Sequence, residues 1–283
     1  MSDPRAIGVF DSGTGGLTVL HEVRRALPSE STVYLGDLAR LPYGPRPQEE
    51  VRVFSHEIAR FLLDRHDVKL LVIACNTASA AALTTLRALY PALPIVGVIE
   101  PGAHAAVAAT RNGRVGVFAT EGTVRSAAYP RAVRAVAPAV HVVAQACPAL
   151  VPLAEAGETN GAHVEAALRG YLAPLDVEGV DTLILGCTHY PLLRPAVDAV
   201  VDGRLAVVDS AHTTAAETAV QLDALGLRAP VGTIPAHRLY TTGSPAGFHE
   251  LAVRLFGDDV ERVEEVDLSP YRERPYTYAR ASV

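Results

Sequence analysis

The chain has 283 residues, 49% hydrophobic and 20% charged, with a formal net charge of −6. That composition excludes a disordered chain and argues against a nucleic-acid or anionic-membrane partner. No apolar run approaches the roughly 20 residues that span a bilayer, the opening MSDPRAIGVF lacks a signal peptide's apolar segment, and three scattered cysteines form no disulfide framework, so the expectation is a cytoplasmic chain with free thiols and no membrane contact.

Short apolar, β-branched runs alternate with longer helical patterns along the chain. Strands are expected at 6–10, 32–36, 69–74, 94–99, 114–119, 141–146, 181–186 and 205–210. Helical periodicity falls at 17–27, 48–65, 78–90, 123–137, 162–174 and 212–225. This alternation predicts an α/β fold with a mainly parallel sheet and helices on both faces. Ligands in such folds bind at the carboxyl ends of strands. The Pro-rich segment 91–101 and the stretch around Asp209 are the expected crossings between domains. The polar, Pro-interrupted tail from Leu268 is expected to lie outside the core.

Two cysteines stand out. LLVIACNTASA (70–80) and LGCTHYPLL (185–193) each carry an apolar run into a cysteine followed by polar residues, and Cys75 and Cys187 lie 112 positions apart. IGVFDSGTGG (7–16) resembles VGVFATEGTV (115–124) at an offset of 108. The first motif of each half precedes its cysteine by 68 and 72 residues. Two pseudo-symmetric α/β domains are expected, each offering one thiol. Their expected bounds are 1–98 plus 210–267 and 99–209, with 268–283 as the tail.

Asn76 or Thr77 is expected to cap the helix after Cys75, and a helix N-terminus there lowers a thiol's pKa and favours a bound carboxylate. The alternative is a small buried cysteine packed behind a strand. Thr188 and His189 follow Cys187, and His189 is suited to take or give a proton. Cys-Thr-His also invites a zinc reading, but the chain has no CxxC, HxxxH or HExxH spacing, and no metal is expected. DSGTGG (11–16) matches neither GxxxxGK[ST] nor GxGxxG, so its glycines more simply permit close backbone approach. Asp11 at that strand end is either a partner for a thiol or an ammonium group, or, with Ser12, a helix cap. In LGDLARLPYG (35–44), Pro42-Tyr43-Gly44 is turn chemistry whose glycine amide can meet a carboxylate. Cys147 has no matching motif and reads as structural, while Glu155 is ambiguous and His21, His56 and His104 read as surface or packing residues. Lys69 is the single lysine and sits at the entrance of its strand, away from the reactive end, which argues against pyridoxal phosphate.

Together IGVFDSGTGGLTVL, YLGDLARLPYG, VIACNTASA, VGVIEPGA, VGVFATEGTV, QACPALVPLAEAG and ILGCTHYPLL resemble the motifs of the glutamate racemase family, within the cofactor-independent aspartate/glutamate racemases. The resemblance runs from about Ile7 to about Val266. It implies interconversion of L- and D-glutamate without a cofactor, with Cys75 and Cys187 as catalytic acid–base thiols. It implies that Cys75 removes the α-proton of D-glutamate and Cys187 that of L-glutamate. Asp11 would assist Cys75; His189 and Glu155 would assist Cys187. The implied substrate contacts are Asp11, Ser12, Tyr43, Gly44, Asn76, Thr77, Thr120, Thr123, Thr188 and His189. It further implies two domains across a cleft, a homodimer, and a D-glutamate product for peptidoglycan synthesis. Leu38 and Leu41 depart from the threonine and phenylalanine common in the family, which bears on the loop before Tyr43.

The residues fit that chemistry. Inverting a stereocentre by proton transfer needs a base on one face and an acid on the other, and two matched thiols supply both. A cysteine hydrolase would need only one thiol and a histidine, and an amino-acid-binding domain pair would need neither thiol. Aspartate racemase is the nearest rival within the superfamily.

Overall fold

The computed structural model describes residues 2–257, 260 and 262–272. The first half of the chain runs β1 (Ile7–Asp11), α1 (Leu17–Ala26), β2 (Thr32–Gly36), α2 (Gln48–His66), β3 (Leu70–Ile73), α3 (Asn76–Leu89) and β4 (Ile95–Gly97). The middle runs α4 (Ile99–Ala109), β5 (Arg114–Ala119), α5 (Glu121–Arg125), α6 (Ala128–Val136), β6 (His141–Ala146), α7 (Leu150–Glu155), α8 (Ala162–Val177), β7 (Thr182–Gly186), α9 (Arg194–Val201) and β8 (Ala206–Asp209). The chain then returns through α10 (Ser210–Leu225), β9 (His237–Thr241), α11 (Pro245–Phe256) and β10 (Val263–Glu265).

The strands form two parallel sheets, ordered β10-β9-β2-β1-β3-β4 and β6-β5-β7-β8. The segment β2-β1-β3-β4 has the same order as β6-β5-β7-β8, so β1 corresponds to β5 and β3 to β7. Every residue of β1, β2, β3 and β7 is buried, as expected where helices cover both faces of a parallel sheet. Each such Val, Ile or Leu contributes about 1.5–3 kcal/mol by leaving water. In both sheets the strand order reverses between the paired central strands, β1/β3 and β5/β7. That is where doubly wound sheets open a crevice for ligands.

Several expectations shift. The predicted strand at 94–99 stops at Gly97, and the expected crossing at 91–101 runs directly into α4. Pro101 sits in the first turn of α4, where its missing N–H has no helical partner to lose. The predicted helix at 123–137 is two helices, broken at Ala127, whose φ of 51° is left-handed. No glycine marks that break in the sequence. β9 and β10 escaped prediction: HRLYT opens with charge, and VEE is a three-residue edge strand. The tail leaves the core later than expected. Leu268 is buried and Tyr271 packs edge-on against Phe61 at 5.5 Å, because this segment covers α2. Residues 273–283 of that tail lie outside the described residues. Among the described residues no helix is long and apolar enough to cross a membrane.

Candidate active site

A cavity of about 380 Å³ opens at the carboxyl ends of the central strands of both sheets. Cys75, two residues beyond β3, and Cys187, one beyond β7, both line it. Ser12, Tyr43, Gly44, Asn76, Thr77, Thr120, Glu155, Thr188 and His189 line it as well. Asp11 and Thr123 are buried behind this lining rather than in it.

Cys75 is itself the N-cap of α3. Its Sγ accepts the Ala78 amide at 3.4 Å, so the capping expected of Asn76 or Thr77 falls to the thiol, and Asn76 is the first helical residue. The thiol also donates toward Ser12 Oγ at 3.6 Å. The expected lowering of its pKa is overturned. Burial and the neighbouring Asp11 carboxylate push the Cys75 thiol up to about 12, against the smaller downward pull of the Ala78 amide and Ser12. Desolvation of a thiolate outweighs one helix terminus here.

Asp11 ends β1 and is fully buried. It does not cap α1, whose N-cap is Gly16 without a side-chain bond. Its Oδ2 accepts the Gly13 amide at 3.0 Å, and its Oδ1 faces Thr188 Oγ1 at 3.4 Å. Burial holds the Asp11 carboxyl above the usual range, against the pull of His189 and the loop amides. The glycines of DSGTGG do permit close approach. A Cβ on Gly15 would lie 2.5 Å from Thr188 Oγ1 and 2.6 Å from the His189 ring. Thr18 Oγ1 donates to the Thr188 carbonyl at 2.9 Å, so the loop after β1 is tied to the loop after β7.

Cys187 stands in a different setting. His189 Nδ1 lies 3.9 Å from its Sγ. His189 Nε2 lies 3.3 Å from Glu155 Oε1, an ion-pair separation without hydrogen-bond alignment. Burial alone would depress the His189 imidazolium. Cys187, Glu155 and Asp11 overcome that and raise its pKa to about 10, so the ring is cationic at neutral pH.

The threonines form one cluster. Thr77 Oγ1 lies 3.0 Å from Thr120 Oγ1 and 3.4 Å from Thr123 Oγ1, which joins the start of α3 to the cap of α5. The Tyr43 hydroxyl donates to Asp37 instead of facing the cavity, and Asp37 also receives Arg40 Nε at 2.6 Å and Thr242 Oγ1 at 2.7 Å. Asn76 Nδ2 donates to the Tyr129 hydroxyl at 2.8 Å, while Asn76 Oδ1 is buried without a partner among the described residues.

Over residues 7–218 the chain matches the Asp/Glu/Hydantoin racemase family. It is 49% identical over 269 residues to the glutamate racemase of Geobacter metallireducens, covering 95% of this chain and 99% of that protein. The chain belongs to the Asp/Glu/Hydantoin racemase family. Its fold is similar to that of a glutamate racemase isoform from Bacillus anthracis, with a TM-score of 0.89, 42% identity, and coverage of 93% of this chain and 98% of that one. It is also similar to the Francisella tularensis glutamate racemase solved in complex with D-glutamate, with a TM-score of 0.88, 32% identity, and coverage of 95% and 100%.

Several lining residues of this family member went unremarked in its sequence. Pro45, Val151 and Pro152 line the cavity, and so does Cys147, read as structural. Cys147 follows β6 as Cys187 follows β7, which was the available signal. Its Sγ donates to the Gln145 carbonyl at 3.4 Å and burial pushes the thiol well up, so it is held as a neutral thiol.

Proposed function

We propose that the chain is a glutamate racemase that interconverts L- and D-glutamate by proton transfer at Cα between Cys75 and Cys187. The observation that carries this reading is the pair of cysteines at equivalent strand ends lining one cavity. The chain then divides into two α/β units, 1–98 with 210–267 and 99–209, each supplying one thiol to the cleft. The D-glutamate formed would supply peptidoglycan synthesis.

In this reading the substrate α-carbon sits between the two sulfurs. One sulfur takes the proton as thiolate and the other returns one to the opposite face as thiol. The electrostatics assign the resting proton to Cys75, which is held neutral by burial and Asp11. The cationic His189 ring, 3.9 Å from Cys187 Sγ, stabilises the negative charge needed for attack on that side. For D-glutamate Cys75 must ionise, and the substrate's own ammonium brings the positive charge that this half lacks. Hydroxyls of Thr77, Thr120 and Thr188 and the α3 amides offer donors to the carboxylate on which carbanion charge builds.

The test is direct. Purified protein incubated separately with L- and D-glutamate, and with L- and D-aspartate, is followed by circular dichroism. Loss of signal from both glutamate enantiomers with aspartate unchanged supports the reading. Loss with aspartate alone, or with neither amino acid, overturns it.

A further inference from the structure

The turn that follows Cys187 lacks one donor of its own. The Cys187 carbonyl accepts the Tyr190 amide at 3.1 Å, and the His189 carbonyl accepts the Leu192 amide at 3.1 Å. On the same i to i+3 pattern the Thr188 carbonyl would be served by residue 191. That residue is Pro191, which has no N–H. The donor comes instead from Thr18, the second residue of α1. Thr18 Oγ1 lies 2.9 Å from the Thr188 carbonyl and 2.9 Å from that of Gly15. The Gly15 carbonyl already holds the Thr18 amide at 3.0 Å, which frees the single hydroxyl proton for Thr188. Thr18 and Thr188 are both buried, which keeps bulk water from substituting for that donor. The same loop meets the neighbouring ring. A Cβ on Gly15 would lie 2.6 Å from His189 Nδ1, the atom 3.9 Å from Cys187 Sγ.

We propose that Thr18 is a positioning residue whose hydroxyl replaces the amide that Pro191 lacks, and so fixes the Thr188–His189 turn with the imidazole beside Cys187. This rests on the racemase reading and deepens it. A peptide whose carbonyl is left unpaired in a buried turn rotates toward any other donor, and rotation of the peptide between Thr188 and His189 carries the His189 side chain with it. Proline at 191 makes the turn depend on its distant partner. A turn with its own amide there would hold its shape wherever the second sheet sat. This one is complete only with the loops after β1 and β7 docked on one another, so the group that faces Cys187 is seated by the strand end that carries Asp11.

The test compares Thr18→Val, which removes the hydroxyl, with Thr18→Ser, which keeps it, and with Thr18→Val combined with Pro191→Ala, which restores an N–H at 191. The measurements are kcat/KM for both glutamate enantiomers, Tm, and the pH titration of the His189 ring by proton–nitrogen correlation spectra of histidine-labelled protein. Thr18→Val should lower kcat/KM about tenfold. Cys187, Glu155 and Asp11 are the groups that raise the His189 pKa, so a ring that slips from them should titrate about one pH unit lower. Thr18→Ser should stay near wild type in both readouts, and the double variant should recover most of the loss. A merely structural threonine would lower Tm and leave the His189 titration where it is. That outcome, a Thr18→Ser as impaired as Thr18→Val, or a double variant no better than Thr18→Val would each overturn the positioning role. If Thr18→Val does not fold, the role stands only if Pro191→Ala restores a folded chain whose His189 titrates as in wild type. The titration needs no turnover, so the two readings fail separately. A wild type that does not racemise glutamate overturns the racemase reading; an unmoved His189 titration in Thr18→Val overturns the positioning role alone.

Discussion

Cys75 and Cys187 follow corresponding strands of two sheets with the same order, yet their surroundings carry opposite charge. Cys75 faces a buried carboxylate, Asp11, and a serine hydroxyl. Cys187 faces a cationic imidazole backed by Glu155. Repeated topology places two sulfurs on one cavity; it does not make them chemically equal. The proposed transfer between two thiols calls for such an inequality, because one sulfur must give a proton while the other takes one.

The sharpest way to break the comparison is to remove the cation. His189→Asn should lower kcat/KM by about 10²–10³-fold, the loss typical of a displaced acid–base or charge-stabilising partner. The two directions must fall equally, since enantiomers have equal free energy. The asymmetry is read instead in primary deuterium isotope effects on kcat/KM. His189→Asn should raise the effect with 2-deuterated L-glutamate more than with the D-enantiomer. Equal increases would show that His189 serves both halves alike.

Glu155 tests the same half more gently. His189 holds its proton up to about pH 10, with Glu155 among the causes, so activity that needs the imidazolium persists until pH rises through that value. Glu155→Gln should move the alkaline limb of kcat/KM down by about one pH unit, as removal of one partly exposed partner does. An unmoved limb would remove Glu155 from the account.

The smallest effect is on stability, in the other half. The Asp11 carboxyl is raised by burial, so the folded chain holds that proton to a higher pH than the unfolded chain does. By linkage, Asp11 opposes folding as pH rises above its unfolded value near 3.9, and the penalty vanishes below that. Asp11→Asn should therefore raise Tm by about 2–4 °C at pH 7, with the gain fading toward pH 4. A lower Tm at pH 7 would mean that the carboxylate's bonds to the Gly13 amide and Thr188 outweigh its burial.

Much of this architecture is legible in the residues. The buried parallel strands carry long apolar runs, and TVYLG, RVGVFA and HVVAQA match their strands residue for residue. Strand β9 and the edge strand β10 are not legible, because HRLYT opens with polar residues and VEE carries a single apolar one. Local order also hides where tertiary contact decides it, as at Ala127, where α5 gives way to α6. Both thiols and most of the cavity lining follow from short motifs beside strand ends. The charge balance does not: a helix N-terminus beside Cys75 argues for a lowered thiol pKa, and only full burial next to Asp11 reverses that. The Thr18 contact is equally hidden, since its hydroxyl meets the Thr188 carbonyl across 170 positions of sequence.

The central claim is that two thiols on opposite faces exchange the α-proton. It is tested most directly by incubating L- and D-glutamate in D₂O with wild type, Cys75→Ala and Cys187→Ala. Optical activity and deuterium at Cα are then followed together. The account predicts that wild type loses optical activity from both enantiomers while deuterium enters Cα, and that each alanine variant loses racemisation by at least about 10³-fold. Continued racemisation by either single variant would contradict the two-thiol account.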